Sequence, residues 1–326
     1  VEPTLINDHL SHFGGLPVQE YREGSGLPNA GERAWRIGLN YDETQEGEEV
    51  FDERLRALLA EPSAEKIEAV VIGMWGEVGI DGTPDHAVQG LINGRGRLKS
   101  LKRLFFGDIV GEEAEISWIN QTAMTPLLDA FPRLEEFGVR GAVGHNGRLS
   151  FENLRHDSLR SLTVQSGGLP SAVVQQIASA ELPSLERLEL WLGVDNYGGD
   201  YALDDFGPIF QAENFPKLRH LGLRDSDQAD AIARAIAEAP VLDQLESLDL
   251  SMGTLGDEGA KALLASPKVK KLKRLNLRHH YMSREMMAEL QKQLPGVEVN
   301  VEGRREEEVY EYNGTTYRER YCEVTE

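Results

Sequence analysis

One cysteine, Cys322, stands in 326 residues, so no disulfide can close within the chain and no cysteine-rich metal site can be assembled. Long hydrophobic runs are missing too. The most apolar short stretch, AVVIGMW at 69–75, is far too short to span a bilayer, and no N-terminal stretch joins a basic start to an apolar run and a small-residue cleavage site. A reducing, cytoplasmic setting is the expectation. Basic residues are scarce: 34 Lys and Arg face 55 Asp and Glu, for a net charge of -21. A nucleic-acid duplex or an anionic membrane would meet overall repulsion, so neither is expected as a partner. Catalytic motifs are missing as well. GSG at 24–26 lacks the GxSxG elbow, and NGRGRL at 93–98 has neither the third glycine of a dinucleotide loop nor the lysine of a P-loop. Cys322 has no partnered histidine, and no catalytic residue or cofactor is expected.

What is present is an ordinary folded composition, 40% hydrophobic and 27% charged, able to bury a sizeable core. The acid is uneven. YDETQEGEEVFDE at 41–53 has seven carboxylates and no base, and residues 302–326 carry eight carboxylates against four arginines; both read as solvated surface. The strongest signal is periodic. LESLDLSMGTLGDEGAKALLASPKVKKLKRLNL, residues 245–277, places Leu245, Leu248 and Leu250 and then Leu272, Leu275 and Leu277 at one spacing, 27 residues apart. The same LxxLxL template finds Ile67/Val70/Ile72, Leu101/Leu104/Phe106, Leu134/Phe137/Val139, Leu159/Leu162/Val164, Leu185/Leu188/Leu190, Leu218/Leu221/Leu223 and a weaker Leu294/Val297/Val299, with AWRIGL at 34–39 as a first copy.

A strand alternates its side chains between two faces, so the fourth and sixth positions of each copy must enter one core. Between copies lie helical patterns: DAIARAIAEA (230–239) puts Ile232, Ala235, Ile236 and Ala239 on one stripe, and SREMMAELQKQL (283–294) does so with Met286, Met287 and Leu290. Strand, turn and helix in repetition give an α/β solenoid. Over residues 34–301 the chain resembles the leucine-rich-repeat family, in its longer, ribonuclease-inhibitor-like bacterial type, with LDLSMGTLGDEGAKALL as the most specific stretch. The resemblance implies about ten repeats, with a curved parallel sheet on the concave face and helices on the convex face. It departs from the family at the ninth position, where asparagine is usual and Ile109, Ala142, Gly167, Gly193, Ser226, Gly253 and His280 stand. The lost side-chain bonds are expected to be replaced by water or main chain.

A repeat stack needs ends. Residues 1–33 are expected to form an N-terminal cap, residues 34–301 the solenoid, and residues 302–326 an acidic C-terminal hairpin cap or tail, the hairpin turning at Asn313-Gly314. In DNYGGDYALDD (195–205), Asp195, Asp200, Asp204 and Asp205 cluster without the spacing of a calcium loop, and helix capping is the expected role. The adjacent His279 and His280 point to opposite sides of the chain, which argues against a shared metal and for a surface turn. No metal site is expected.

The third, fifth and seventh positions should face the hollow. They hold Arg36, Arg103, Arg140, Arg187, Arg224, Arg274 and Arg278, the acids Glu136, Glu189, Asp249 and Glu298, and no lysine. This sign is opposite to that of the whole chain. Arginine grips carboxylates bidentately and stacks on aromatic rings, and Trp191 adjoins Arg224 one strand away, within reach of a cation–π pair; Trp75 is expected on the same rim. Either these arginines meet a partner or they pair with Glu136 and Glu189 across the sheet. Candidate partner-binding residues are Arg103, Arg140, Arg187, Trp191, His220, Arg224, Arg274 and Arg278. The expected function is a non-catalytic scaffold binding a protein or peptide with an acidic segment. The alternative is an accessory or substrate-presenting component of a bacterial modifying-enzyme system, since similar repeat proteins can occur beside radical-enzyme and ATP-grasp genes.

Overall fold

A computed structural model of the chain describes residues 6–79, 82–143, 147–212 and 214–324. Residues 1–5 of the expected cap and 325–326 of the expected tail lie outside the described residues. The chain divides into two compact units. The first holds the residues up to Ser166 together with Ala180–Ser184, and the second holds Gly167–Ser179 and the residues from Leu185 onward.

In the first unit the strands are β1 (His12–Phe13), β2 (Leu16–Glu20), β3 (Ala34–Ile37), β4 (Ala69–Ile72), β5 (Arg103–Phe106), β6 (Glu136–Arg140) and β7 (Ser161–Gln165). From β2 to β7 neighbours pair in parallel. Equivalent positions face one another: Trp35, Val70, Leu104, Phe137 and Leu162 form one row, and Ile37, Ile72, Phe106, Val139 and Val164 another. All ten side chains are buried. Between strands, helices Glu48–Ala60 and Asp85–Gly94 bury Phe51, Leu55, Leu58, Ala87, Val88 and Leu91. The register sets Trp35 opposite Val70, so the first copy begins two residues earlier than AWRIGL suggests. A shift of two keeps every side chain on its face, and Arg36 stays where the sequence puts it.

The opposite face of β3–β5 is covered. Phe13, with Leu10, Leu16 and Val18, packs on Ala34, Ala69, Val71 and Phe105, and the Phe13 and Phe105 rings meet edge to face at 5.9 Å. The β1–β2 hairpin turns at Gly14 and Gly15, both at positive φ; a Cβ on Gly14 would sit 1.9 Å from Cδ of Arg103, so only glycine lets the turn lie this close. Beside the hairpin, Asp108 is fully buried. It accepts from Nε of Arg36 at 2.8 Å and from the Leu10 amide at 3.1 Å. His9 lies between Asp108 (3.4 Å) and Glu113 (3.3 Å), and its bonds to Asp108 and then Glu113 push its pKa from 6.5 up to about 9. Burial works to raise the Asp108 pKa, yet His9 and Arg36 outweigh it and hold it below the usual range. Charged groups therefore fasten the N-terminal segment to the sheet.

The second unit carries β8 (Arg187–Gly193), β9 (His220–Ser226), β10 (Ser247–Asp249), β11 (Arg274–Asn276) and β12 (Glu298–Asn300), parallel and in register, with an antiparallel hairpin of β13 (Glu308–Tyr312) and β14 (Thr315–Glu319). Leu188, Leu221, Leu248 and Leu275 form a buried row. Val299, not Val297, faces Leu275, so the last copy starts two residues later than the sequence pattern suggests, and Glu298 again keeps its face. Helix Ala229–Glu238 buries Ala229, Ile232, Ala233, Ile236 and Ala237, leaving Ala235 half-buried. At the start of helix Ser171–Ala178, Asp205 accepts from the Ser171 hydroxyl and Asp200 from the Ser171 amide, and Asp205 also accepts from the Ala202 amide that opens the turn Leu203–Phe206.

The missing asparagine ladder has two substitutes. At the ninth position itself, His280 and Ser226 do the work expected of water or main chain: the Met282 amide donates to Nδ1 of His280, whose Nε2 bonds Val301 O in the next repeat, and the Gln228 amide donates to Oγ of Ser226. His279 and His280 are therefore buried in the turn and not on the surface. Gly193, at φ +64, sits so close to Gly167 that a Cβ would lie 1.8 Å from its carbonyl oxygen. At the fifth position a second ladder runs across the sheet. Asp249, Asn276 and Asn300 each accept from the amide two residues on, Ser251, Arg278 and Glu302, and Asn276 donates to Asp249 at 2.8 Å. One backbone group per repeat is satisfied this way.

Leu248 lies in the middle of its row, and Leu248→Ala should lower the unfolding free energy by about 2 to 5 kcal/mol, read from denaturant melts, while Ser247→Ala should change it little. His9 sets a pH dependence. Its folded pKa lies above the unfolded one, so its contribution is complete below about pH 6.5 and lost as pH rises through about 9. Thermal midpoints should fall across that window, and His9→Gln should flatten the slope.

Candidate functional site

The face of the second unit's sheet opposite its buried leucines carries three rows of side chains, set by the parallel register. The third-position row runs Arg187, His220, Ser247, Arg274 and Glu298. Arg187, Arg274 and Glu298 are exposed, and His220 and Ser247 are half-buried. Neighbouring strands lie about 4.8 Å apart, so Arg187 and His220 are adjacent. Burial and then the Arg187 charge lower the His220 pKa, with Arg274 adding to the effect against Glu246 and Glu186, so the uncharged ring is favoured. Arg274 reaches Glu298 at 3.1 Å, both largely in water, where such a pair contributes little. Among the described residues the guanidinium of Arg187 has no hydrogen-bond or ion-pair partner.

The seventh-position row is different. Trp191 and Arg224 face each other in register, and the guanidinium carbon lies 5.3 Å from the ring centroid, but both are buried. Arg224 donates to Glu189 at 2.8 Å, to Ser251 at 3.0 Å and to Met252 Sδ, with Asp249 at 3.7 Å; Trp191 donates to the same Glu189 oxygen. Burial alone would depress the Arg224 pKa, and Glu189 and Asp249 reverse that. These donors are consumed inside the fold. Arg278 is likewise taken, by a bidentate pair with Glu323 of the C-terminal strap. The strap is held further by the Glu323 amide on Met252 O and by the Val324 amide on the buried Asp225.

In the first unit neither candidate is open. Arg140 is buried, donating to Gln165 at 2.8 Å and Ile109 O at 2.7 Å, with Phe105 beneath it at 5.6 Å; desolvation lowers its pKa. Arg103 lies under Gly14 and between Glu68 (3.5 Å) and Glu136 (3.8 Å). Trp75, expected on a rim, is fully buried against Phe106 at 5.3 Å. Of the eight candidate residues, Arg187, His220 and Arg274 come together at an open surface. Arg103, Arg140, Trp191, Arg224 and Arg278 serve internal contacts. Ser247, absent from the candidates, joins the open row; its third-position phase was visible in the repeat.

A crystal structure of a protein from Bacteroides fragilis resembles this chain at 35% identity with a TM-score of 0.75, covering 83% of this chain and 74% of that one. More remote matches are an internalin from Listeria monocytogenes (14% identity, TM-score 0.36, 74% of this chain and 55% of that one) and a leucine-rich-repeat protein from Leptospira interrogans (13%, 0.37, 88% and 59%). No protein-family model matches the chain, and no curated protein matches it. No helix among the described residues is long and apolar enough to cross a membrane.

The buried and open arginines should behave oppositely on truncation. Arg224→Ala strands Glu189 beside Asp249 and should cost about 3 to 5 kcal/mol, whereas Arg187→Ala should stay within about 0.5 kcal/mol; urea unfolding followed by tryptophan fluorescence reads both.

Proposed function

The chain belongs to the same family as the Bacteroides fragilis protein, and on that footing we propose that this leucine-rich-repeat protein is a non-catalytic scaffold whose second unit binds an acidic segment of a protein partner. The repeat is of the ribonuclease-inhibitor-like type, a reading supported by helices of eight to thirteen residues between strands, such as Ser171–Ala178 and Glu48–Ala60. The observation that carries the proposal is the third-position row. Arg187, His220, Ser247 and Arg274 stand side by side on four strands, with no acid among the four and with the Arg187 guanidinium unpaired among the described residues. On a chain of net charge -21, such a row is opposite in sign to the whole and favours carboxylates.

The unpaired Arg187 guanidinium grips a carboxylate bidentately, Arg274 does so by exchanging its exposed pair with Glu298, and the histidine and the serine hydroxyl between them supply hydrogen bonds. Side chains repeated at strand spacing favour recognition of an extended segment. On β10 and β11 the fifth-position bond between Asn276 and Asp249 lies beside the row on the same face. Arg224 and Trp191, on the same face but buried further along the strands, do not touch the partner.

The test is capture from lysate by the immobilised chain, with mass spectrometry and titration of the protein captured. Arg187→Glu with Arg274→Glu should weaken that complex about tenfold or more, equivalent to about 1.4 kcal/mol, and the parent complex should weaken as salt rises. Arg284→Glu with Lys292→Glu, on the exposed side of helix Arg284–Gln293, should leave it unchanged. Equal loss from both pairs, or retention after the first, would place the partner elsewhere.

A further inference from the structure

The β13–β14 hairpin is the most exposed aromatic surface of the second unit. It turns at Asn313 and Gly314, both at positive φ. Its pairing sets Tyr310 opposite Tyr317, Tyr312 opposite Thr315 and Glu308 opposite Glu319, so alternation gathers Tyr310, Tyr312, Tyr317, Glu308 and Glu319 on one face, with Tyr321 continuing it. The four tyrosines are 40 to 64% exposed. Tyr310 and Tyr317 stack at 5.3 Å, and the hydroxyls of Tyr310 and Tyr321 both donate to Glu319. The rings are thereby held in place with their outer sides in water.

The other face of the hairpin lies on the side of the repeats but is itself exposed, Val309 at 51%. Glu307, Val309, Arg318 and Arg320 line a cleft with Asp230, Asp257 and Glu258, and both arginines pair with Glu307. The hairpin's arginines are thus spent on the side turned inward, and the tyrosine face carries acid and no base. A two-stranded hairpin with no core of its own is marginal in water, and clustered exposed tyrosine is characteristic of contact surfaces.

We infer that this tyrosine face docks an arginine-containing basic segment of another protein. The occupant follows from charge and ring chemistry. Tyrosine faces attract guanidinium cations by their quadrupole, and Glu308 and Glu319 flank the rings with negative charge. A second copy of this chain docked face to face is the wrong occupant, since it would bring Glu308 and Glu319 against their own equivalents. This surface is separate from the third-position row and selects the opposite charge, so it stands or falls independently of the acidic partner proposed above.

The experiment uses the full chain and a short fluorescent peptide of alternating arginine and glycine, read by anisotropy at near-physiological salt so that the bulk charge is screened. The parent should bind, and Tyr312→Ser with Tyr317→Ser should weaken binding about tenfold. Glu311→Gln, which removes an acid from the inward face, should leave it unchanged. Tyr312→Ser alone guards against unfolding of the hairpin, because Tyr312 makes no side-chain hydrogen bond among the described residues; it should weaken binding by a smaller, measurable factor. Failure of the parent to bind, or equal binding by parent and double variant, overturns the inference. So does self-association of the parent in sedimentation equilibrium that the double variant abolishes, which would assign the face to a second copy.

Discussion

The in-register parallel ladder is the constraint on which everything else in this protein depends. Once Leu188, Leu221, Leu248 and Leu275 share a row, the two-residue period of a strand commits every intervening side chain to the opposite face. The polar rows are therefore a by-product of burying the leucines. So is the alignment of Asp249, Asn276 and Asn300 at the fifth position, which lets Asn276 bond Asp249 across the strand gap while each side chain accepts from its own strand's amide two residues on. A slip of one residue would reverse all of this at once.

On that frame arginine serves two purposes that composition alone does not separate. Arg140 and Arg224 are buried, each surrounded by acceptors and an aromatic ring. Guanidinium suits this place because it is weakly hydrated and presents several donors in a fixed plane; an ammonium would be harder to desolvate and could not stack. Arg187 and Arg274 occupy the third position, nearer the start of each strand, where no strap or hairpin covers them. In the first unit the corresponding face is closed by the chain's own N-terminal segment, with Phe13 seated on Val71 and Phe105.

Much of this was legible in the sequence. The leucine pattern places each strand from β4 to β11, and Asn313-Gly314 marks a turn. The end copies are offset by two residues because the registers that put Trp35 and Val299 at the fourth position leave Glu32 and Gly296 at the first, where the template wants an apolar residue. The face assignment of the arginines survives that offset, but their burial does not follow from spacing. It depends on groups distant in sequence: Asp108 for Arg36, Ile109 O for Arg140, and Glu323 for Arg278. One signal was available. Ala69, Val71 and Phe105 are apolar at positions that an open face would leave polar, and a sheet apolar on both sides must be covered on both. The fifth-position residues Asp249, Asn276 and Asn300 were also visible in the repeat, four positions before the column where asparagine is usual.

The measurement that tests this account most directly is the rate of arginine-selective modification by phenylglyoxal in the native protein, mapped by mass spectrometry. Arg187 and Arg274 should react at close to the rate of a free guanidinium, and Arg140 and Arg224 should remain unmodified until the protein is denatured. Modification of Arg224 or Arg140 as fast as Arg187 would contradict the division of the arginines into an internal set and an open one.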